Sequence, residues 1–424
     1  MKLRVIFFSD LDVWSIDANK GAPSFYKTIE LYVKLGHEVF LVKPTTSKRK
    51  DYPIDGLIYR SFNNELMEKL VSIPKISFFA RFANMSKLTR SFIKHGEPLI
   101  KDSNVPCLLY AYEVHAVDAA AFLSKKYNIP FITRFQGSIL VNIKDTFINR
   151  LKYYVHFKGL SKKSNLVIMT DDGSEGDRIL KELGNATEEI HFWRNGVGEK
   201  ATELSTNETH KMRIKTRQQL SFSETDTVLM TLSRLVDWKR VDRSVNALAL
   251  LTAKYPSCKL MIVGDGNARK NLESLVKLKG LERKVNFVGA VEQREIYKYF
   301  AAADIFLSLY DLTNVGNPLW ESMRHNMPII TINNGDTKSV VIDGYNGILL
   351  NSGDPQIVAN AIERLINNSE LKEQLSKSAG KFAKENLWSW EERMNEEYKY
   401  VYCMVKNFYI KHQLKNGYYE NKTR

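Results

Sequence analysis

Thr227-Val228-Leu229-Met230-Thr231-Leu232-Ser233-Arg234-Leu235-Val236-Asp237-Trp238-Lys239 decides how the rest of this chain is read. The first six residues form an apolar run of strand length, and a polar, charged turn separates them from a helical pattern over Val241 to Ala253. Short apolar runs recur at Lys259 to Val263, Val285 to Val288, Ile305 to Ser308, Pro328 to Thr331 and Gly347 to Leu350, with a further helical stretch at Ala268 to Lys279. Strands alternating with helices predict an open parallel sheet whose ligands meet the loops at the carboxyl ends of its strands. Arg234 and Lys239 fall in such a loop. An Arg offers a fork of donors and a Lys a compact charge, so the pair suits a diphosphate, although an isolated pair would read as solvated cations.

The same alternation runs toward the N-terminus. Leu3 to Phe8 reads as a buried strand, Phe25 to Leu35 as a helix stopped by Gly36, and Glu38 to Val42 as a second strand. Cys107 to Tyr110, Ala116 to Lys126, Pro130 to Arg134 and Asn165 to Met169 continue the pattern. The polar stretch Gly198 to Glu224 reads as the connection between halves. Beyond Pro355 the chain turns helical, with Trp388, Trp390, Tyr398, Tyr402 and Phe408 supplying apolar area. A chain of 424 residues exceeds one comfortable core. The expected class is therefore α/β, with two Rossmann-like doubly wound domains, 1–200 and 201–390, facing a cleft. A helical tail, 391–424, is expected to cross back onto the first domain.

Lys and Arg number 62 against 48 Asp and Glu, a formal charge of +14 that favours anionic partners. Nucleic acid, anionic lipid and phosphorylated substrates all fit that charge. No aromatic-basic recognition motif accompanies it, so a nucleic-acid partner is not expected. No apolar run is long enough to span a membrane, and Leu3 to Phe8 is too short for a signal peptide. Cys107, Cys258 and Cys403 are odd in number and widely spaced, which argues against a disulfide framework or a clustered metal site and fits a reducing cytoplasm. Gly264-Asp265-Gly266 lacks the third glycine of a dinucleotide loop, so no nicotinamide cofactor is expected.

A second informative piece is Asn317-Pro318-Leu319-Trp320-Glu321-Ser322-Met323, reached from the strand Ile305 to Ser308 through a loop containing Gly316. Pro318 suits the first turn of a helix, and a helix start offers free N–H groups to phosphate or sugar oxygens. Glu321 can accept hydrogen bonds from two ribose hydroxyls; alone it would read as a partner of the helix dipole. The segment Leu66 to Lys101 mixes Leu, Ile, Phe and Met with Lys69, Lys75, Arg81, Lys87, Arg90 and Lys94. It reads either as an amphipathic surface lying on anionic lipid or as a helix pair with snorkelling cations.

With these pieces the chain resembles the family-4 retaining glycosyltransferases, of GT-B fold. The resemblance rests on Gly36-His37-Glu38-Val39, Asn195-Gly196-Val197, Ser233-Arg234-Leu235 with Lys239, Val263-Gly264-Asp265-Gly266, Phe287-Val288-Gly289, Ala303-Asp304, Gly316 with Pro318 to Met323, and Asp343-Gly344-Tyr345-Asn346-Gly347, in the family's order. It implies that Arg234 and Lys239 bind the diphosphate and that Glu321 is the second acid of a Glu-x7-Glu motif, bound to ribose. Asn317, Pro318 and Leu319, with Gly316, would meet the donor sugar and phosphate; Val291 and Gln293 would hold the base; His115 would face the sugar. Thr313 stands where the family has its first Glu, Gly21-Ala22 replaces a Gly-Gly loop, and Phe135-Gln136-Gly137 stands where His-Gly is common. The implied reaction moves a sugar from a UDP- or GDP-sugar to a lipid-linked or cell-envelope glycan, without metal or cofactor. The expected place is the cytoplasm, with peripheral contact at the inner membrane face through residues 66–101. Thr313 motivates an alternative, a non-catalytic GT-B homologue acting as a partner or regulatory subunit.

Overall fold

The computed structural model describes residues 1–11, 23–45, 54–73, 77–141, 143–198 and 205–420. Seven parallel strands form the first sheet: β1 (Arg4–Phe8), β2 (Glu38–Thr45), β3 (Leu57–Asn63), β4 (Cys107–Tyr112), β5 (Phe131–Phe135), β6 (Leu166–Thr170) and β7 (Ile190–Trp193), in the order β3-β2-β1-β4-β5-β6-β7. The second sheet holds β8 (Thr227–Leu232), β9 (Cys258–Val263), β10 (Val285–Gly289), β11 (Ile305–Ser308), β12 (Ile329–Ile332) and β13 (Ile348–Leu350), in the order β10-β9-β8-β11-β12-β13. Both are doubly wound α/β sheets of the Rossmann kind, as the alternating pattern predicted.

Central strands such as β1 and β4 are apolar on both faces because helices cover both sides of a parallel sheet. Register is set accordingly, with Val5 opposite both Val39 and Leu108. The edge strands β3 and β7 escaped the sequence reading, since one face of each is partly wet and neither forms a continuous apolar run. The order reverses between β1 and β4 in the first sheet and between β8 and β11 in the second. At those two points neighbouring loops diverge and leave a crevice beyond the strand ends.

The polar stretch expected as a simple connection contains a helix, Thr206–Gln219, started by a capping box of Ser205 and Glu208. It hides from apolar periodicity because arginines anchor it. The buried Arg217 donates to the Ala302 carbonyl at 3.0 Å and pairs with Asp304 at 2.7 Å, which also pairs with Arg213.

The last helix, Trp390–Glu420, does cross back to the first sheet. Val401 and Val405 are fully buried in the cluster that holds Leu3, Val5 and Phe7. Glu397 is buried between Arg134 of β5 and Arg393, the latter at 2.8 Å, and accepts from the Tyr110 hydroxyl. Tyr398 meets His37 at 2.9 Å, and Tyr409 bonds both the N–H and the carbonyl of Cys107. Charges this deep are tolerated only because each faces an opposite charge. Among the described residues no helix is long and apolar enough to cross a membrane.

Candidate functional site

The switch point of the second sheet carries the loops after β8 and β11. After β8, Arg234 is exposed, while Lys239 is drawn inward beneath aromatic rings. Its ammonium lies 3.6 Å from the Tyr310 ring centroid and 4.1 Å from that of Trp238. Burial lowers its pKa to about 7; the Arg234 charge pushes the same way, and Asp172, across the seam in the first domain, opposes it.

After β11, Thr313 reaches across the same seam. Its hydroxyl donates to the Asp172 carbonyl at 3.5 Å and accepts from Val315 N–H at 3.1 Å. Gly173 permits this approach: at φ +76°, a Cβ there would come within 2.2 Å of Thr313 Oγ1. Asp172 is half-buried and accepts from Ser174 N–H at 3.0 Å, and burial pushes its carboxyl up to about 6. The sequence assigns Asp172 no role at this site, because its nearness to Lys239 and Thr313 joins residues far apart in the chain.

The helix Asn317–Arg324 starts at Gly316 with Pro318 in its first turn. Its backbone donors are fewer than a bare helix start suggests. Leu319 N–H already donates to the Gly316 carbonyl at 3.0 Å, and proline has no N–H. The Gly316 and Asn317 N–H groups have no acceptor among the described residues. The Asn317 side chain instead ties the two domains, donating to the Gly196 carbonyl at 3.1 Å. Nearby, Arg194 pairs with Asp171 at 3.2 Å and lies 4.8 Å from the Trp320 ring centroid.

Glu321 points from this helix into a cavity of about 470 Å³ between the domains. The helix Ser24–Lys34 lines one side with Lys27 and Lys34; Gln293 and Tyr297 line another; Trp390 and Met394 complete it. Glu321 is buried and accepts from Gln293 Nε2 at 3.2 Å, and burial raises its carboxyl to about 7. Gln293 Oε1 is itself buried, with no hydrogen-bond partner among the described residues. A buried carboxylate beside an orphaned carbonyl is a place built to receive donors from a ligand.

The first sheet's switch point presents other chemistry. Asp10 follows β1, and Glu113 and His115 follow β4. His115 Nδ1 lies 3.2 Å from Asp10 Oδ2, and its ring sits 6.5 Å from that of His156. Glu113 holds φ +73°, a strained value for a side-chain-bearing residue, and its carboxylate accepts from Gln136 N–H at 2.7 Å. Burial lifts the Glu113 carboxyl to about 7 and lowers the His156 imidazole to about 4.

Glu321 and Gln293 therefore share one cavity. Arg234 and Lys239 lie outside its lining, and so do Val291 and His115. Gly21 and Ala22 lie outside the described residues. Among those described, no group of three or more His, Cys, Asp or Glu side chains could hold a metal ion.

Comparison with known proteins gives this geometry its context. Residues 212–382 match the family described as glycosyl transferases group 1. An uncharacterized glycosyltransferase of Methanocaldococcus jannaschii is 28% identical over 383 residues, covering 88% of this chain and 91% of its own. The alpha-monoglucosyldiacylglycerol synthase of Acholeplasma laidlawii is 22% identical, covering 81% and 84%. Among solved structures, Anabaena HepE, in complex with UDP and glucose, superimposes with a TM-score of 0.68 at 18% identity, over 94% of this chain and 99% of its own. The fold is thus that of GT-B glycosyltransferases, and within it residues 212–382 match the group 1 glycosyltransferase model.

Proposed function

We propose that this protein is a retaining glycosyltransferase that moves a sugar from a UDP- or GDP-sugar to a lipid-linked or cell-envelope glycan. The observation that carries the proposal is the interdomain cavity in which buried Glu321 lies beside the orphaned Gln293 carbonyl. Ribose hydroxyls donate to a carboxylate, and the base offers N–H donors that suit an unpaired amide oxygen. In this reading residues 201–390 take the donor and residues 1–200 the acceptor.

Arg234 and Lys239 neutralise the diphosphate as it departs, and the Gly316 and Asn317 N–H groups meet its oxygens. Lys239, held near neutrality by burial, regains its full charge when a dianion arrives. Val291 and Gln293 hold the base. His115, oriented by Asp10, contacts the sugar, and Thr313 lies beside it at the seam. Departure and attack occur on one face of the sugar, with the diphosphate taking the acceptor's proton, so the reaction draws on neither a carboxylate nucleophile nor a metal. The acceptor class is supported by the diacylglycerol in the name of the Acholeplasma relative and by the basic, apolar segment 66–101, which would touch anionic membrane.

The test is nucleotide release from a panel of UDP- and GDP-sugars, with the product's anomeric configuration read by NMR. Glu321→Ala and Lys239→Ala should each lower turnover by about two to three orders of magnitude while the protein stays folded. Near-normal turnover in both would sink the assignment.

A further inference from the structure

The segment that follows β5 carries an apolar surface that the fold leaves uncovered. In the short helix Phe147–Lys152 no residue is buried; Phe147 is 77% exposed, Ile148 75% and Leu151 38%. Single exposed apolar side chains are ordinary, but three sharing one short helix are not. The surface extends to a neighbouring element: Phe82, in the helix Ser77–Lys101, stacks on Tyr154 at 4.7 Å, and Phe79, one turn earlier, is 76% exposed.

The surroundings are cationic. Between residues 139 and 163 stand six Lys and Arg against one acid, Asp145; Arg150 pairs with Asp145, Lys158 with Asp118 and Lys163 with Glu188, while Lys144, Lys152 and Lys162 add net positive charge. Lys144 and Lys152 are exposed beside the apolar residues. A second copy of the chain, docked through the same patch, would bring like charges together around a symmetry axis. An anionic surface with an apolar interior complements both features at once.

The patch also adjoins the cleft. The helix Tyr154–Leu160 follows directly, and its His156 faces the His115 ring at 6.5 Å. Gly159 lies so close to Val114 that a Cβ there would come within 2.9 Å of its side chain. We infer that Phe147, Ile148 and Leu151, with Phe79 beside them, insert into an anionic lipid bilayer and seat the mouth of the first domain's cleft on it. This inference rests on the reading that the acceptor is membrane-borne, and it locates the contact on the helix Phe147–Lys152 and its flanks together with Phe79 of the 66–101 region.

The experiment is co-sedimentation of the full chain with phosphatidylcholine vesicles, either pure or containing about a third phosphatidylglycerol. The native protein should partition onto the anionic vesicles, and the double variant Phe147→Ser, Ile148→Ser should do so about tenfold more weakly or worse. Equal binding by native and variant proteins, or no binding by either, would overturn the inference. So would a native dimer in sedimentation velocity that the variant converts to monomer, since the patch would then be a contact between copies. Thermal stabilisation by nucleotide-sugars, measured on both proteins, separates the two readings. If it persists in the variant, a failed vesicle arm strikes the docking face alone; if both proteins lack it while native binding to vesicles is intact, the transfer reading falls and the docking face stands.

Discussion

At the first sheet's switch point stand Asp10, Glu113 and His115; at the second's stand Arg234, Lys239 and the helix start at Gly316. The two sheets share a topology, yet their loops carry opposite chemistry. Cations and free N–H groups on the second suit a diphosphate, whereas carboxylates and an imidazole on the first suit hydroxyl groups. The switch point common to both sheets therefore fixes where a ligand can sit, and the loop residues fix which one. The halves are held face to face by the last helix, whose Glu397 is locked between Arg134 and Arg393.

The largest effect is expected at that lock. Glu397→Ala leaves two buried guanidinium groups without their carboxylate and should cost about 3–5 kcal/mol of stability. Urea unfolding checks it; a loss under 1 kcal/mol, the scale of an exposed ion pair, would mean the helix is anchored by its apolar contacts alone.

A smaller effect is expected at the first switch point. Removing one hydrogen-bonding group from a charged network, by His115→Ala, should lower turnover about tenfold to a hundredfold while nucleotide affinity stays unchanged. A matching loss of nucleotide affinity would erase the division of labour between the halves.

The smallest effect sharpens the chemistry of the second half. Burial raises Glu321 to about 7 and lowers Lys239 to about 7. Below that pH Glu321 is protonated and cannot accept two hydrogen bonds; above it Lys239 is neutral and cannot balance phosphate charge. The profile of kcat/KM against pH should therefore be a narrow bell centred near 7, since it reports groups of the free enzyme. Lys239→Arg, with a guanidinium that stays charged, should flatten the alkaline limb. An unchanged alkaline limb would assign that limb to another group.

Much of the second half was legible because its ligand loops are each continuous in sequence. Ser233 to Lys239 follows its strand directly and Gly316 to Met323 follows Ile305–Ser308 through one short loop, so a local pattern displays both the strand and the residues beyond its end. The first half was legible as a fold and less so as a site. His115 and Glu113 stand two residues apart after β4, but Asp10 and His156 join them only through strand pairing and helix packing. Nothing in Asp171-Asp172-Gly173 announces Lys239 or Thr313 across the seam, so the place of Asp172 in the site is a product of tertiary contact.

The alternation of strands and helices, the two sheets and the identity of the cations after β8 are all written in the residues, because periodicity and turn chemistry are local properties of a chain. Tertiary structure alone decided the burial that brings Glu321 and Lys239 near neutrality, the orphaned oxygen of Gln293, the ion cluster around Glu397 and the exposure of Phe147 and Ile148. Solvation and charge depend on which distant segments come together, and no local pattern records that.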